Sequence, residues 1–122
     1  MSNKDSVAQF LKLLSANQVR TAYEKFVAPD FIHHNQYVKA GREDLLLAME
    51  EAHRENPNTR IDIKHLYEDG DTVISHSHVT MQPGTLGVAV VHIFRFRDGK
   101  AVELWDLGQP ILKDSPNAAG LF

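Results

Sequence analysis

Two ionisable residues interrupt the most apolar part of the sequence. In the segment 90–110, "VVHIFRFRDGKAVELWDLGQP", His92 and Asp106 stand among valine, phenylalanine and leucine. A carboxylate and an imidazole on one water-poor wall can move a proton, because the first accepts it and the second donates a hydrogen bond. This chemistry requires that both side chains face the same side of a sheet.

The turn between the two strands decides which residues share a face. A two-residue loop at Asp98-Gly99 would turn Asp106 to the face opposite His92. A three-residue loop over 97–99 would place both side chains on one face. Its cross-strand pairs would be Phe96 with Lys100, His92 with Leu104, and Val90 with Asp106.

The distribution of apolar residues favours the three-residue loop, because a one-residue slip inverts every side chain. The face of His92 and Asp106 would then also carry Val88, Val90, Phe94, Phe96, Val102 and Leu104. The other face would carry Arg95, Arg97 and Glu103 beside Val91, Ile93 and Trp105. The sequence therefore predicts that His92 and Asp106 share a pocket face. The apolar residues of the other face predict a homodimer interface.

Further histidines lie in the extended segments. The preceding hairpin brings His76 and His78 either to the His92 face or to the opposite one, because its loop length is ambiguous. Of the adjacent His33 and His34, one must point outward. A metal site is an alternative reading, since imidazole binds zinc, copper, nickel or iron. Its ligands would be His34, His76, His78 and His92, but their spacing matches no recognised signature.

The rest of the chain predicts helices followed by strands. Apolar residues recur at helical spacing over 5–15, 17–28 and 41–56, with Asp5 or Ser6 as the first cap. Pro29 and Pro57 end the second and third helices. The predicted extended segments are 30–38, 60–71, 72–82, 88–96 and 101–107. This order predicts an α+β fold, with helices on one face of a curved antiparallel sheet.

The composition fits one domain over residues 1–122 and excludes several classes of protein. The chain has 122 residues, of which 43% are hydrophobic and 24% charged. It has no cysteine, so disulfides and thiolate zinc sites are excluded, and its net charge of −3 provides no basic surface for nucleic acid. No apolar run approaches the ~20 residues of a membrane helix. The N-terminus lacks a signal-peptide core, which predicts a cytoplasmic protein.

Two motifs carry a resemblance to a known family. "FIHHNQYV" followed by "GRE", and later "FRFRDGKAVELWDLGQP", resemble the SnoaL-like polyketide cyclases of the nuclear-transport-factor-two-like superfamily. The resemblance extends from about Val7 to Pro110. It implies a cone-shaped α+β domain whose N-terminal helices pack on the concave face of the sheet and enclose a deep pocket.

The resemblance also implies roles for particular residues. Asp106 matches the general acid/base of the cyclases, and His92 matches a histidine of the same pocket. Asn35 matches another polar position of the pocket wall, with His34 as its neighbour. Relatives often carry a polar residue where this chain has Leu104, which is a departure from the pattern.

The implied reaction is an intramolecular aldol cyclisation of a small apolar carbonyl compound. It needs a base, a donor to the enolate oxygen and a returned proton, but no metal or organic cofactor. A ketone isomerase and a non-catalytic small-molecule pocket are the alternatives. The predicted substrate-binding residues are Tyr23, His34, Asn35, Met49, His76, His78, Val90, Phe94 and Gln109.

Overall fold

The computed structural model describes all 122 residues and has an α+β architecture. The three helices are α1 (Asn3–Ser15), α2 (Val19–Phe26) and α3 (Arg42–Glu55). The five strands are β1 (Val27–His33), β2 (Arg60–Asp69), β3 (Thr72–Thr80), β4 (Val88–Arg97) and β5 (Lys100–Pro110). None of the helices is long and apolar enough to cross a membrane.

The first helix begins earlier than the sequence predicts. Ser2 is the cap: its hydroxyl accepts a hydrogen bond from the Asp5 backbone, and the Asp5 carboxylate accepts one from the Ser2 backbone. This reciprocal pair satisfies two amides that a helix start leaves free. Asp5 is therefore the third helical residue, and neither Asp5 nor Ser6 is the cap.

The strands form one curved, open sheet in the order β1-β5-β4-β3-β2. All neighbouring pairs are antiparallel except β1 and β5, which are parallel. Because Pro29 lacks a backbone donor, it fits an edge strand, and the pairing of β1 with β5 is irregular around it. The predicted extended segment thus starts earlier, at Val27, directly after α2.

The turn between β4 and β5 corrects the predicted loop length. Asp98 and Gly99 both have positive φ, 51° and 78°, and Arg97 pairs with Lys100. This is the two-residue hairpin loop that requires left-handed backbone at both positions. The three-residue loop, with its pairs Phe96–Lys100, His92–Leu104 and Val90–Asp106, is wrong.

A bulge in β5 nevertheless returns Asp106 to the predicted face. Phe96 pairs with Ala101 and Arg95 pairs with Glu103, so Val102 is an extra residue in β5. Beyond it, His92 lies directly opposite Asp106. A two-residue loop plus one bulged residue gives the same facing as a three-residue loop. Val102 itself is buried but lies outside the main apolar core.

The main core fills the space between the helices and the inner face of the sheet. It contains seventeen buried apolar residues. Helix α1 supplies Val7, Phe10, Leu11 and Leu14, and the central strands supply Val73, Phe94, Phe96 and Leu104. The chain after β5 has no regular structure, as its polar composition predicts, and its last residue packs on the outer face of the sheet.

Candidate functional site

A cavity of about 220 Å³ opens between the helices and the inner face of the sheet. Twelve of its fifteen lining residues are hydrophobic. The exceptions are Asn35, His92 and Asp106. Among the predicted ligand contacts, Tyr23, Met49 and Phe94 also line it. An apolar cavity with a few converging polar groups is the usual form of a small-molecule site.

The three polar residues form one connected group. The amide Nδ2 of Asn35 donates to Oδ2 of Asp106 over 2.8 Å, and Nε2 of His92 lies 3.5 Å from Oδ1. Asn35 is itself fixed by its loop, because its Oδ1 accepts from the Tyr37 backbone over 2.9 Å. The carboxylate therefore has one neighbour at each oxygen.

His92 is poorly hydrated, and this affects its charge. Its side chain is only 14% exposed, and the Nδ1 atom is buried without a hydrogen-bond partner. Burial lowers the pKa of His92 below the usual value, while the Asp106 carboxylate acts in the opposite direction with a smaller effect. The imidazole is consequently neutral around pH 7 and can donate through only one ring nitrogen.

Tyr23 closes the cavity from the helical side. Its hydroxyl donates to the sulfur of Met49 over 3.2 Å, and the Arg42 guanidinium lies 5.7 Å from its ring centre. Burial raises the pKa of the Tyr23 phenol far above its usual value, so the hydroxyl remains protonated. It is a neutral donor within the cavity wall.

Other predicted contacts lie outside the cavity. His34 stacks on Trp105 at 5.0 Å and bonds Glu103 over 2.7 Å, and this bond is the largest factor that lowers the pKa of Glu103. Val90 is on the inner face opposite Gly108 but does not line the cavity. Gln109 is exposed and points to the outer face, since it follows Asp106 by an odd number of residues.

His76 and His78 lie on the outer face, which corrects their inclusion among the pocket residues. His76 pairs with Val91 on the neighbouring strand. The imidazole rings of His76 and His78 each lie 5.2 Å from the ring of Phe122. The four histidines of the alternative metal site are therefore divided between two faces. No three histidine or acidic side chains are grouped so that they could hold a metal ion.

Two buried serines occupy the inner positions of β3 instead. Ser75 pairs with His92 and Ser77 with Val90, and both are 0% exposed with hydroxyls that lack a partner. The alternation in β3 contains little contrast, because serine and histidine alternate and both are polar. One weak signal favours the observed facing of β3: Val73 and Val79 alternate in step with Ser75 and Ser77, so all four residues lie on the same face.

Much of the apolar lining is not among the predicted ligand contacts, and it comes from α1, β1, α3, β5 and one loop. These residues are Phe10, Leu14, Val27, Phe31, Val38, Leu45, Ala48, Ala52 and Leu104. Their helical or strand periodicity identified most of them as buried, but periodicity does not tell a cavity wall from filled core.

Sequence comparison assigns the chain to a family. The profile described as SnoaL-like domain matches residues 7–104, which is most of the chain. The chain belongs to the SnoaL-like family. The predicted membership in this branch of the nuclear-transport-factor-two-like superfamily is thus confirmed. No curated protein matches the sequence.

Solved structures share the SnoaL-like fold at low sequence identity. IdmH from Streptomyces antibioticus, named a "putative polyketide cyclase", is 18% identical, with a TM-score of 0.73 over 89% of this chain and 93% of its own. A protein from Sinorhizobium meliloti that is also named a "putative polyketide cyclase" is 21% identical, with a TM-score of 0.70 over 84% of this chain and 94% of its own. An NTF2-like protein of unknown function from Cytophaga hutchinsonii is 16% identical, with a TM-score of 0.74 over 90% and 92%.

Proposed function

We propose that this SnoaL-like domain is a cofactor-independent acid/base enzyme that acts on a small apolar carbonyl compound by intramolecular aldol cyclisation. The observation that carries the proposal is the direct pairing of His92 with Asp106 on the wall of an apolar cavity. The cyclase names of two structural neighbours support the reaction class.

The geometry suggests how the proton would move. Asp106 removes a proton from the carbon next to the carbonyl, and the resulting enolate carbon attacks a second carbonyl of the same molecule. Asp106 then returns the proton to the new alkoxide, so the product is an isomer of the substrate. Neutral His92 donates a hydrogen bond through Nε2 to the enolate oxygen. Asn35 releases one carboxylate oxygen when the substrate binds.

A non-catalytic binding pocket is the second candidate, and one observation favours it. Asp106 already accepts a hydrogen bond from Asn35 over 2.8 Å, as a structural carboxylate would. Both candidates predict that an apolar ligand binds. They differ in whether Asp106 abstracts a proton.

Deuterium exchange tests this difference without the natural substrate. Phenylacetone is incubated in D₂O with the protein, and loss of its α-proton signals is followed by NMR. We expect the wild type to accelerate exchange and Asp106→Asn to lose about 100-fold or more of that acceleration, the usual contribution of a general base. Asp114→Asn, in the exposed tail, is the matched control. Undiminished exchange by folded Asp106→Asn would show that the carboxylate is not the base.

A further inference from the structure

A second, wider cleft of about 550 Å³ adjoins the cavity. Asn35 and Asp106 line both spaces. The hydrogen bond between them therefore stands at the boundary of the inner cavity and the outer cleft. The outer cleft is lined by His34, Asn35, Gln36, Tyr37, Val88, Asp106, Leu107, Gly108 and Pro110.

We infer that the ligand is a two-part neutral molecule. Its apolar end occupies the inner cavity, its reactive carbonyl lies at the Asn35–Asp106 boundary, and a hydrogen-bonding tail occupies the outer cleft. The position of the carbonyl rests on the proposed function. The division into two parts rests on the two spaces and their different linings.

The size of the inner cavity limits what it can hold. Its volume of about 220 Å³ is below the ~300–1,000 Å³ of pockets that enclose drug-sized ligands. Only a compact group, such as one ring with a short substituent, fits inside it. A larger molecule must extend past Asn35 into the outer cleft and replace the 2.8 Å bond to Asp106.

The lining of the outer cleft specifies the tail. No lysine or arginine lines this cleft, and Asp106 places a carboxylate at its inner end. An anionic tail would therefore meet repulsion without a compensating cation. Gln36 and His34 provide polar groups, and Tyr37 is 85% exposed. These groups suit a neutral tail that accepts and donates hydrogen bonds and lies against an aromatic ring.

Two probes that differ only in the tail test the inference. The short probe is phenylacetone, and the long probe carries a neutral triethylene glycol chain in place of the methyl group. Binding to the wild type and to Tyr37→Ala is measured by amide NMR titration. We expect the long probe to bind more tightly and to shift the signals of Tyr37 and Leu107. The Tyr37→Ala change should weaken only the long probe, about three- to tenfold.

Leu47→Ala is the control, because Leu47 is also exposed, at 52%, but lies on α3 outside both spaces. Equal affinity of the two probes, with no effect of Tyr37→Ala, would overturn the two-part ligand. So would failure of both probes to bind. Neither result depends on turnover, so the deuterium exchange assay reports separately on the role of Asp106.

Discussion

The amide of Asn35 and the imidazole of His92 give Asp106 a different neighbour at each oxygen. Asn35 can only donate through Nδ2, whereas His92 can donate or accept through Nε2, depending on its tautomer. Of the two neighbours, only the imidazole can therefore also accept a proton. The Nδ1 atom is buried without a hydrogen-bond partner, and Ser75, whose hydroxyl also lacks one, is the cross-strand neighbour of His92.

The lowered pKa of His92 predicts a dependence of stability on pH. Above the unfolded pKa of ~6.5, the imidazole is neutral in both states and contributes nothing. Below it, the unfolded chain takes up a proton that the folded chain resists, so the free energy of unfolding decreases as the pH falls toward the folded pKa. One such group contributes at most about 1.4 kcal/mol per pH unit.

Urea unfolding at pH values between about 7.5 and 5, a range that spans the reference pKa of histidine, measures this contribution. We expect His92→Gln to show a shallower loss of stability in acid than the wild type. The Asp106→Asn change should steepen the loss, because the carboxylate favours the charged imidazole. His65→Gln, at an exposed outer position, is the control. Identical slopes for wild type and His92→Gln would refute a buried neutral imidazole.

At the scale of elements, the alternation of side chains predicted facing more reliably than pairing. The pattern of β4 and β5 favoured an arrangement in which His92 and Asp106 share a face, and they do. The pattern could not distinguish a three-residue loop from a two-residue loop with a bulge, because each arrangement leaves three residues unpaired between the strands and so gives the same facing. In β3, where Ser75 and His76 are both polar, alternation contained no comparable contrast.

The order of helices and strands was also predictable, since it follows from the change of period near residue 60. The parallel pairing of β1 with β5 was not predictable, because Pro29 lacks a backbone donor and the local sequence therefore disfavours a strand at this position. Its place at the sheet edge depends on tertiary contacts with β5. The same limitation applies to the cavity, whose walls combine residues that are far apart in sequence.

The β4–β5 turn is expected to depend on glycine at only one of its two positions. Gly99 has φ of 78°, so Gly99→Ala should lower the free energy of unfolding by about 1 kcal/mol. Asp98→Gly should not destabilise by the same mechanism, because its φ of 51° is readily adopted by glycine. Chemical denaturation of both variants measures the difference. An undiminished stability of Gly99→Ala would argue against this turn type.

For the whole molecule, the outer sheet face presents an apolar row that crosses four strands. Tyr67, Ile74, Ile93 and Trp105 are consecutive cross-strand partners. Tyr67 is 59% and Ile74 37% exposed. Arg95 and Glu103 form an ion pair beside this row, with 3.0 Å between nitrogen and oxygen. An apolar centre with a charged margin is the composition of a protein interface.

We therefore propose that the protein is a homodimer through this row, which agrees with the interface predicted from Val91, Ile93 and Trp105. Sedimentation equilibrium at micromolar concentration should give the dimer mass for the wild type. Ile74→Lys should give the monomer mass, because each interface would bury a lysine against apolar side chains without a partner. Leu47→Lys, at a 52% exposed position of α3, should remain dimeric. A wild type that sediments as a monomer, or an Ile74→Lys variant that still dimerises, would mean that this face is not the interface.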